Sequence, residues 1–346
     1  MEQITTIGLD LAKQVFQVHA ASADGVPIFT RKLRRAEVLR FFEKTPVCLV
    51  GMEACGSAHY WAREIRGLGH EVRLIPPVYV KPFVKRGKTD SADAEAISEA
   101  VTRKTIRFVP VKSADQQAAA IVLKTRALLV TQRTQVINAL RAHLSEFGII
   151  AATGTTKVAG LISIVRDNTD LRLPKAARIA LIEVASQVNA LKTQIEKLEQ
   201  AIVVTVRRDD DARRLVTIPG VGAITAASVR ALVPDPGGFK SGRHFAAWLG
   251  LTPKPHSSGG KERLGRISKM GNPALRSLLV VGATAVLRHA RGNQNASRWI
   301  ATLLARRPYK VVAVALANKM ARIIWALLVK GGRYQENGAR NQMAAA

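Results

Sequence analysis

The first hundred residues alternate between short apolar runs of period two and longer runs of helical spacing. Residues 4–9, 15–20 and 27–33 read as three strands, with Ala23-Asp24-Gly25 as the turn between the second and third. A helical segment follows over 36–44, then a buried apolar strand over 47–52. A helix over 57–68 leads to a last strand, 71–75, which Pro76-Pro77 closes. From residue 114 the period changes to that of long helices. Leu123, Val130, Ile137 and Leu144 recur every seventh residue. A second run repeats the device with Leu181, Val188, Ile195 and Ile202, while Val184, Leu191 and Leu198 fill the complementary positions. This is a coiled-coil seam, with either an antiparallel hairpin within one subunit or an oligomer interface as its consequence. Residues 153–174, between the two runs, read as a connection of weaker order.

The third region begins near Arg207 and carries helical stripes such as Leu275, Leu278, Leu279, Ala283 and Val286. Here charge changes the picture. From Lys240 through Gln335 there are 18 Lys or Arg residues against one acidic residue, Glu262. The whole chain of 346 residues carries a net charge of +28. Such a balance is foreign to an enzyme of small metabolites and predicts a nucleic-acid partner, bound largely through its phosphates. The apolar stretch 311–329 is interrupted by Lys319 and Arg322, so it reads as a buried helix and not as a membrane span. No membrane association is expected. Cys48 and Cys55 have neither metal-ligand companions nor a disulfide-rich context, which fits a reducing bacterial cytoplasm, near the nucleoid. The expected divisions are an α/β domain over 1–108, a helical coiled-coil region over 109–206, a mainly α-helical domain over 207–335 and a disordered tail over 336–346.

Against this basic background four early carboxylates stand out: Asp10, Glu53, Asp90 and Asp93. Carboxylates repel a polyanion unless a divalent cation sits between, so metal-dependent chemistry on a phosphodiester is the first expectation. Three hairpin strands followed by strand–helix alternation is the order of an RNase H-type mixed sheet with flanking helices. In that order Asp10 lies on the first strand and Glu53 just past the end of the fourth, its neighbour. Asp90 and Asp93 open a helix expected to run to Val101 and project from one face. Helix capping is their alternative role.

Two further motifs lie in the basic region. Ile218-Pro219-Gly220-Val221-Gly222 is similar to the hairpin of helix-hairpin-helix DNA binders, where glycines such as Gly220 and Gly222 let backbone N–H groups approach phosphate. An ordinary turn between packed helices is the alternative. Gly250-Leu251-Thr252-Pro253 leads into Lys254-Pro255-His256-Ser257-Ser258-Gly259-Gly260, a flexible loop ringed by Lys254, Lys261, Arg263, Arg266 and Lys269. A serine attacks only if its proton is removed and the developing charge is stabilised. The cations meet the second need; the first falls to His256 or to the acidic cluster.

Taken in order, these motifs resemble the IS110 family of transposases, most nearly its IS1111 group. The resemblance rests on Gly8-Leu9-Asp10-Leu11-Ala12-Lys13, Met52-Glu53-Ala54-Cys55-Gly56, Lys88-Thr89-Asp90-Ser91-Ala92-Asp93-Ala94 and Ile218-Pro219-Gly220-Val221-Gly222. It continues with Gly250-Leu251-Thr252-Pro253, Ser257-Ser258-Gly259-Gly260 and Ile267-Ser268-Lys269-Met270-Gly271-Asn272. It implies a RuvC-like N-terminal domain in which Asp10, Glu53, Asp90 and Asp93 hold Mg²⁺ or Mn²⁺. It also implies a C-terminal domain whose catalytic serine links covalently to DNA: Ser258, directly before Gly259, with Ser257 as the other choice. A guide RNA from the element's own non-coding end, recognising donor and target DNA, comes from the resemblance alone. Concerted strand exchange calls for an oligomer, a dimer or a tetramer. Two other readings compete: a hydrolytic RuvC-like structure-specific nuclease, and an architectural nucleic-acid binder on a degenerate nuclease fold.

Overall fold

The computed structural model describes residues 3–85, 87, 89–257, 259–261, 263–290 and 297–335. Ser258, Glu262 and the tail 336–346 lie outside the described residues. The chain divides into two compact units, Met1–Gln117 and Ala118–Ala346.

The first unit is built on β1 (Thr6–Asp10), β2 (Val15–Ala21), β3 (Pro27–Arg34), α1 (Val38–Lys44), β4 (Leu49–Glu53), α2 (Ala58–Gly67), β5 (Glu71–Ile75), a short α3 (Pro77–Val80) and α4 (Asp90–Val101). The strands form one mixed sheet in the order β3-β2-β1-β4-β5. β1, β2 and β3 pair antiparallel, and β1, β4 and β5 pair parallel. This is the mixed α/β order expected. Glu53 differs by one position: it is the last residue of β4, paired with Ile75, and not past the strand's end.

Alternation divides the sheet's two faces. Ile7, Leu9, Val50 and Met52 point to one side and join Phe16, Val18, Phe42, Trp61 and Ile65 in a core shared with α1 and α2. Thr6, Gly8 and Asp10 therefore point to the other side, as do Gly51 and Glu53, and that side is covered by α4. The cover is unusually close. Gly8 and Gly51 stand opposite each other on the paired strands β1 and β4. A Cβ on Gly8 would lie 2.0 Å from the Ala94 carbonyl oxygen and 2.5 Å from the Ser98 nitrogen. A Cβ on Gly51 would lie 2.8 Å from Cβ of Val101 and 3.1 Å from Cγ2 of Ile97. The helix backbone thus occupies the space that a side chain on Gly8 would fill, and the Val101 and Ile97 side chains the space of one on Gly51.

In the second unit, α5 (Ala114–Ser145) enters from the first, followed by α6 (Val158–Arg166), α7 (Lys175–Arg208), α8 (Asp210–Val216), α9 (Ala223–Leu232) and α10 (Gly242–Trp248). A two-stranded hairpin of β6 (Pro253–Pro255) and β7 (Leu264–Ile267) precedes α11 (Pro273–Ala290), α12 (Arg298–Arg306) and α13 (Tyr309–Lys330). α5 and α7 run antiparallel. Val122 and Leu123 pack near Ile202 and Val206 at one end, and Leu140 and Leu144 share a cluster with Leu181 and Ala185 at the other. Arg126 Nε donates to Glu199 at 2.8 Å between them. The connection read as weakly ordered contains α6, whose Val158, Leu161, Ile162 and Val165 are buried at helical spacing against both long helices.

α13 is long and apolar enough to cross a membrane by composition. Its Val312, Ala313, Leu316, Ala317, Met320, Ala321, Ile324 and Leu327 instead form one stripe in the core of this unit, as expected of a buried helix. A second close pair of glycines locks α11 to the turn before α9: a Cβ on Gly282 would lie 2.0 Å from the Gly220 carbonyl oxygen.

The glycine rung gives a direct test of packing. In Gly8→Ala the new methyl meets backbone, which cannot rotate away, whereas in Gly51→Ala it meets side chains. Urea unfolding is expected to show a loss of roughly 2–3 kcal/mol for Gly8→Ala and about 1 kcal/mol for Gly51→Ala. Equal and negligible losses would show that α4 does not rest on this rung.

Candidate functional site

The glycine rung sets where the carboxylates stand. In the β1–β4 register Leu9 pairs with Met52, so Asp10 and Glu53 come next on neighbouring strands and share the α4 face. On α4, residues four apart line up. Ala94 and Ser98 rest over Gly8, and Asp90 extends that row by one turn. Ile97 and Val101 rest over Gly51, and Asp93 extends that row. Four carboxylates from three elements are thereby gathered at one end of the sheet.

The electrostatics of Asp10 report the gathering. Its carboxyl is pushed up to about 6, first by burial and then by the charges of Asp93, Asp90 and Glu53. A hydrogen bond from the Leu11 backbone N–H pulls weakly the other way. Thr89 takes the N-cap position of α4 with extended backbone, and Asp90 and Asp93 lie in the first turn, where their charge also suits the macrodipole. The Thr89 Oγ1 accepts from the Ala92 N–H at 3.2 Å. Sequence reading passed over Thr89, although Thr before an Asp-rich first turn is an N-terminal signal.

The donor set of four carboxylates is that of a hard divalent cation such as Mg²⁺ or Mn²⁺. Among the described residues no group of three His, Cys, Asp or Glu side chains already stands as a ligand set. The cluster therefore fits a cation by charge and donor chemistry, and its side chains would have to close on one.

The second unit holds the other predicted site residues. Gly250, with φ +70, and Gly271, with φ +67, bring the end of α10 against the segment before α11. A Cβ on Gly250 would lie 2.4 Å from Met270 backbone atoms, and one on Gly271 would lie 1.8 Å from the Trp248 carbonyl oxygen. Arg276 Nη1 donates to the carbonyls of Leu249 at 3.0 Å and Met270 at 2.7 Å. The Asn272 side-chain oxygen accepts from the N–H groups of Ala274 and Leu275 at the start of α11. This fixed base carries the β6–β7 hairpin, closed by Ser268 N–H to Thr252 O at 2.9 Å and His256 N–H to Arg263 O at 2.8 Å.

Lys254, Lys261, Arg263, Arg266 and Lys269 are all exposed on this hairpin and its base. Lys269 holds φ +54, a conformation costly for a non-glycine residue and concentrated at functional sites. Ser257 is exposed beside the tip, and Ser258 lies outside the described residues. The imidazole of His256 lies over Gly265, where a Cβ would come within 2.9 Å of its Nε2. Gly222 is exposed at the N-cap of α9, whereas the close approach that Gly220 permits is to Gly282. The turn thus does the packing work of the alternative reading at Gly220.

The family profile described as "Transposase IS116/IS110/IS902 family" matches residues 212–298, and a DEDD transposase profile of the IS110 type matches residues 7–149. A putative transposase of Sinorhizobium fredii is 48% identical over 338 residues, covering 97% of this chain and 87% of that one. A probable family 20 transposase of Pseudomonas aeruginosa is 49% identical over 334 residues, 96% of this chain and 99% of that one. The transposase of insertion sequence element IS1111A from Coxiella burnetii is 39% identical over 336 residues, 97% of this chain and 92% of that one.

Asp10 also sets a pH dependence. Its folded value of about 6 lies above the ordinary 3.8, so between these values the folded state holds a proton that the unfolded chain has released. The stabilisation from this group is complete below 3.8 and lost as pH rises through about 6. At pH 7.5 without divalent cation, Asp10→Asn is expected to stabilise the protein, on the order of 1–2 kcal/mol by urea unfolding. Added Mn²⁺ should raise the melting temperature of the parent and not of the variant. An Asn variant less stable than the parent in EDTA would contradict the crowding of charge at this cluster.

Proposed function

The chain belongs to the IS110 family of insertion-sequence transposases, enzymes acting on DNA, and we propose that it cuts and rejoins DNA through a covalent serine–DNA intermediate. The observation that carries this reading is the pairing of two incomplete sites in one chain. The first unit offers clustered carboxylates and the second offers a serine-bearing loop ringed by cations on a fixed base. Each lacks what the other has.

In this reading the hydroxyl of Ser258 attacks the scissile phosphorus in line, and the 3′ or 5′ oxygen of the cut strand leaves. The phosphodiester passes to the serine without hydrolysis, so a second strand end can reverse the step and rejoin. Asp10, Glu53, Asp90 and Asp93 would hold Mg²⁺ or Mn²⁺. Such a cation supplies charge stabilisation for the phosphate and lowers the pKa of the attacking hydroxyl. Lys254, Lys261, Arg263, Arg266 and Lys269 neutralise the phosphate backbone as it enters, with Gly222 and the α9 N-terminus as a further phosphate contact.

Carboxylates and serine must meet for this chemistry, either within one chain or between subunits of a dimer or tetramer. The helical hairpin of α5 and α7 supplies a rigid arm for the second option. A transcript from the element's flank is the guide for donor and target DNA in this proposal. Ser257 is the second choice of nucleophile.

The test is adduct trapping with purified protein, Mg²⁺ and element-end DNA, with and without the flank transcript. A denaturant-stable protein–DNA adduct is expected, with the DNA mapping to Ser258 by peptide mass. Ser258→Ala should abolish it and Asp10→Asn should lower its rate at least about 10²-fold, with DNA binding retained in both. Cutting that survives in Ser258→Ala would point to water as nucleophile. An adduct that persists in that variant would move the assignment to Ser257.

A further inference from the structure

The sheet that gathers the carboxylates also sets cations in register with them. Asp10 pairs with Gln17 on β2, and Gln17 pairs with Lys32 on β3, the edge strand. On the other flank of Asp10 the neighbour is Glu53 of β4. Glu53, Asp10, Gln17 and Lys32 therefore form one row across four strands, and pairing in register puts all four on the α4 side of the sheet. Gln17 is buried and neutral, so the row passes from carboxylates to an exposed cation with no charge between them. One row further, Arg34 pairs with Val15 and shares that side, next to the β1–β2 turn that carries Lys13. Val15 is 45% exposed, so the sheet is open to solvent there, and Lys13, Lys32 and Arg34 are exposed with it.

These cations are free where others of the unit are not. Arg73, Lys85 and Arg103 pair with Glu71, Glu95 and Glu99. Among the described residues no carboxylate pairs with the side chain of Lys13, Lys32 or Arg34. The nearby Glu37 accepts instead from the Arg34 backbone N–H, at 2.8 Å. Two strand spacings, about 10 Å, separate Asp10 from Lys32, too far for the acidic cluster to neutralise the lysine directly. A lysine on an edge strand also deters edge-to-edge pairing, but that role needs no register with Asp10. Free cations at a fixed spacing from a carboxylate set suit a polyanion that touches both. One phosphate would meet the carboxylates through their cation, and a neighbouring one would meet the lysine.

The spacing says which phosphate. A strand advances at least about 3.4 Å per nucleotide, so 10 Å spans no more than about three nucleotides. Lys32 stands on the β3 side of Asp10 alone, so the contact falls on one side of the cut. We propose that Lys32, supported by Lys13 and Arg34, is a positioning residue that holds a backbone phosphate of the DNA strand being cut, within about three nucleotides of the reacting phosphate. This rests on the proposed function, because it takes the reacting phosphate to lie at Asp10. A strand held at two points in one row has its direction across the sheet fixed, which a single contact at the carboxylates does not achieve. The guide transcript carries the same phosphates, but the register with Asp10 favours the strand that reacts there.

The probe is element-end DNA in which single phosphates around the mapped cut are replaced by uncharged methylphosphonates, with affinity read by fluorescence anisotropy. With the parent protein, replacement at one or two positions on one side of the cut, within about three nucleotides, is expected to weaken binding several-fold. Lys32→Gln should weaken binding of unmodified DNA to the same level and lower the salt slope by about 0.9. In that variant the same replacements should cost nothing further, the signature of a shared contact. Lys44→Gln removes an exposed lysine before the start of β4, at the end of the sheet away from the carboxylates, and should leave the pattern intact. No sensitive position in the parent, sensitive positions that persist in Lys32→Gln, or a loss in Lys32→Gln confined to transcript binding overturns the inference. Cutting that survives in Asp10→Asn would move the reacting phosphate away from the carboxylates and take this inference with it. If Asp10→Asn and Ser258→Ala both lose cutting and no position couples to Lys32, this inference alone fails.

Discussion

Two glycines on one rung of a parallel strand pair govern the first unit. With no side chain on Gly8 or Gly51, α4 lies close against the sheet, its backbone over Gly8 and its Ile97 and Val101 side chains over Gly51. Because the helix is held by its middle, its first turn is held too, and the first turn carries Asp90 and Asp93. Because the strands are parallel and in register, their ends carry Asp10 and Glu53 side by side. The burial and the crowding of charge that raise Asp10 to about 6 are thus consequences of packing several residues away. A site of like charges is unstable by itself. Here the cost is met by a core that leaves the helix no other seat.

The second unit uses the same device for a different end. Gly220 against Gly282 locks the turn before α9 to α11, and Gly250 with Gly271 locks the end of α10 to the segment before α11. The loop that carries the serines therefore rises from a base in which backbone touches backbone, with Arg276 and Asn272 holding the remaining carbonyl and amide groups. A nucleophile on a loop can be placed accurately only if the base of the loop is rigid. The exposed cations around it serve the opposite need, since phosphate contacts position a strand without reading its sequence.

Much of this was legible in the sequence. Short apolar runs located all five strands of the sheet, and residues 71–75 match β5 to the residue. The expected helix start at Asp90 coincides with that of α4. Charge alone pointed to nucleic acid, and the motifs in order carried the family. What escaped was packing between segments distant in the chain. Gly8 and Gly51 look like interruptions of two strands until the register sets them opposite each other. Gly220 looks like a phosphate-binding glycine until Gly282, some sixty residues away, is found against it. α6 was lost because Thr153-Gly154-Thr155 and Pro174 dominated the reading of a segment whose Val158, Leu161, Ile162 and Val165 are helically spaced.

The two halves of the proposed site divide the work of recombination. Carboxylates and their cation alone would suit hydrolysis as well as transfer, and a serine loop alone holds no carboxylate set for a divalent cation. The decision between nuclease and recombinase therefore rests on which oxygen attacks phosphorus. Running the reaction in ¹⁸O-labelled water and weighing the strand ends and joined products decides it. If Ser258 attacks and the joined strand displaces it, the phosphate at each new junction carries no label. Incorporation of one ¹⁸O at the cut phosphate during productive strand joining would make water the nucleophile and contradict the account.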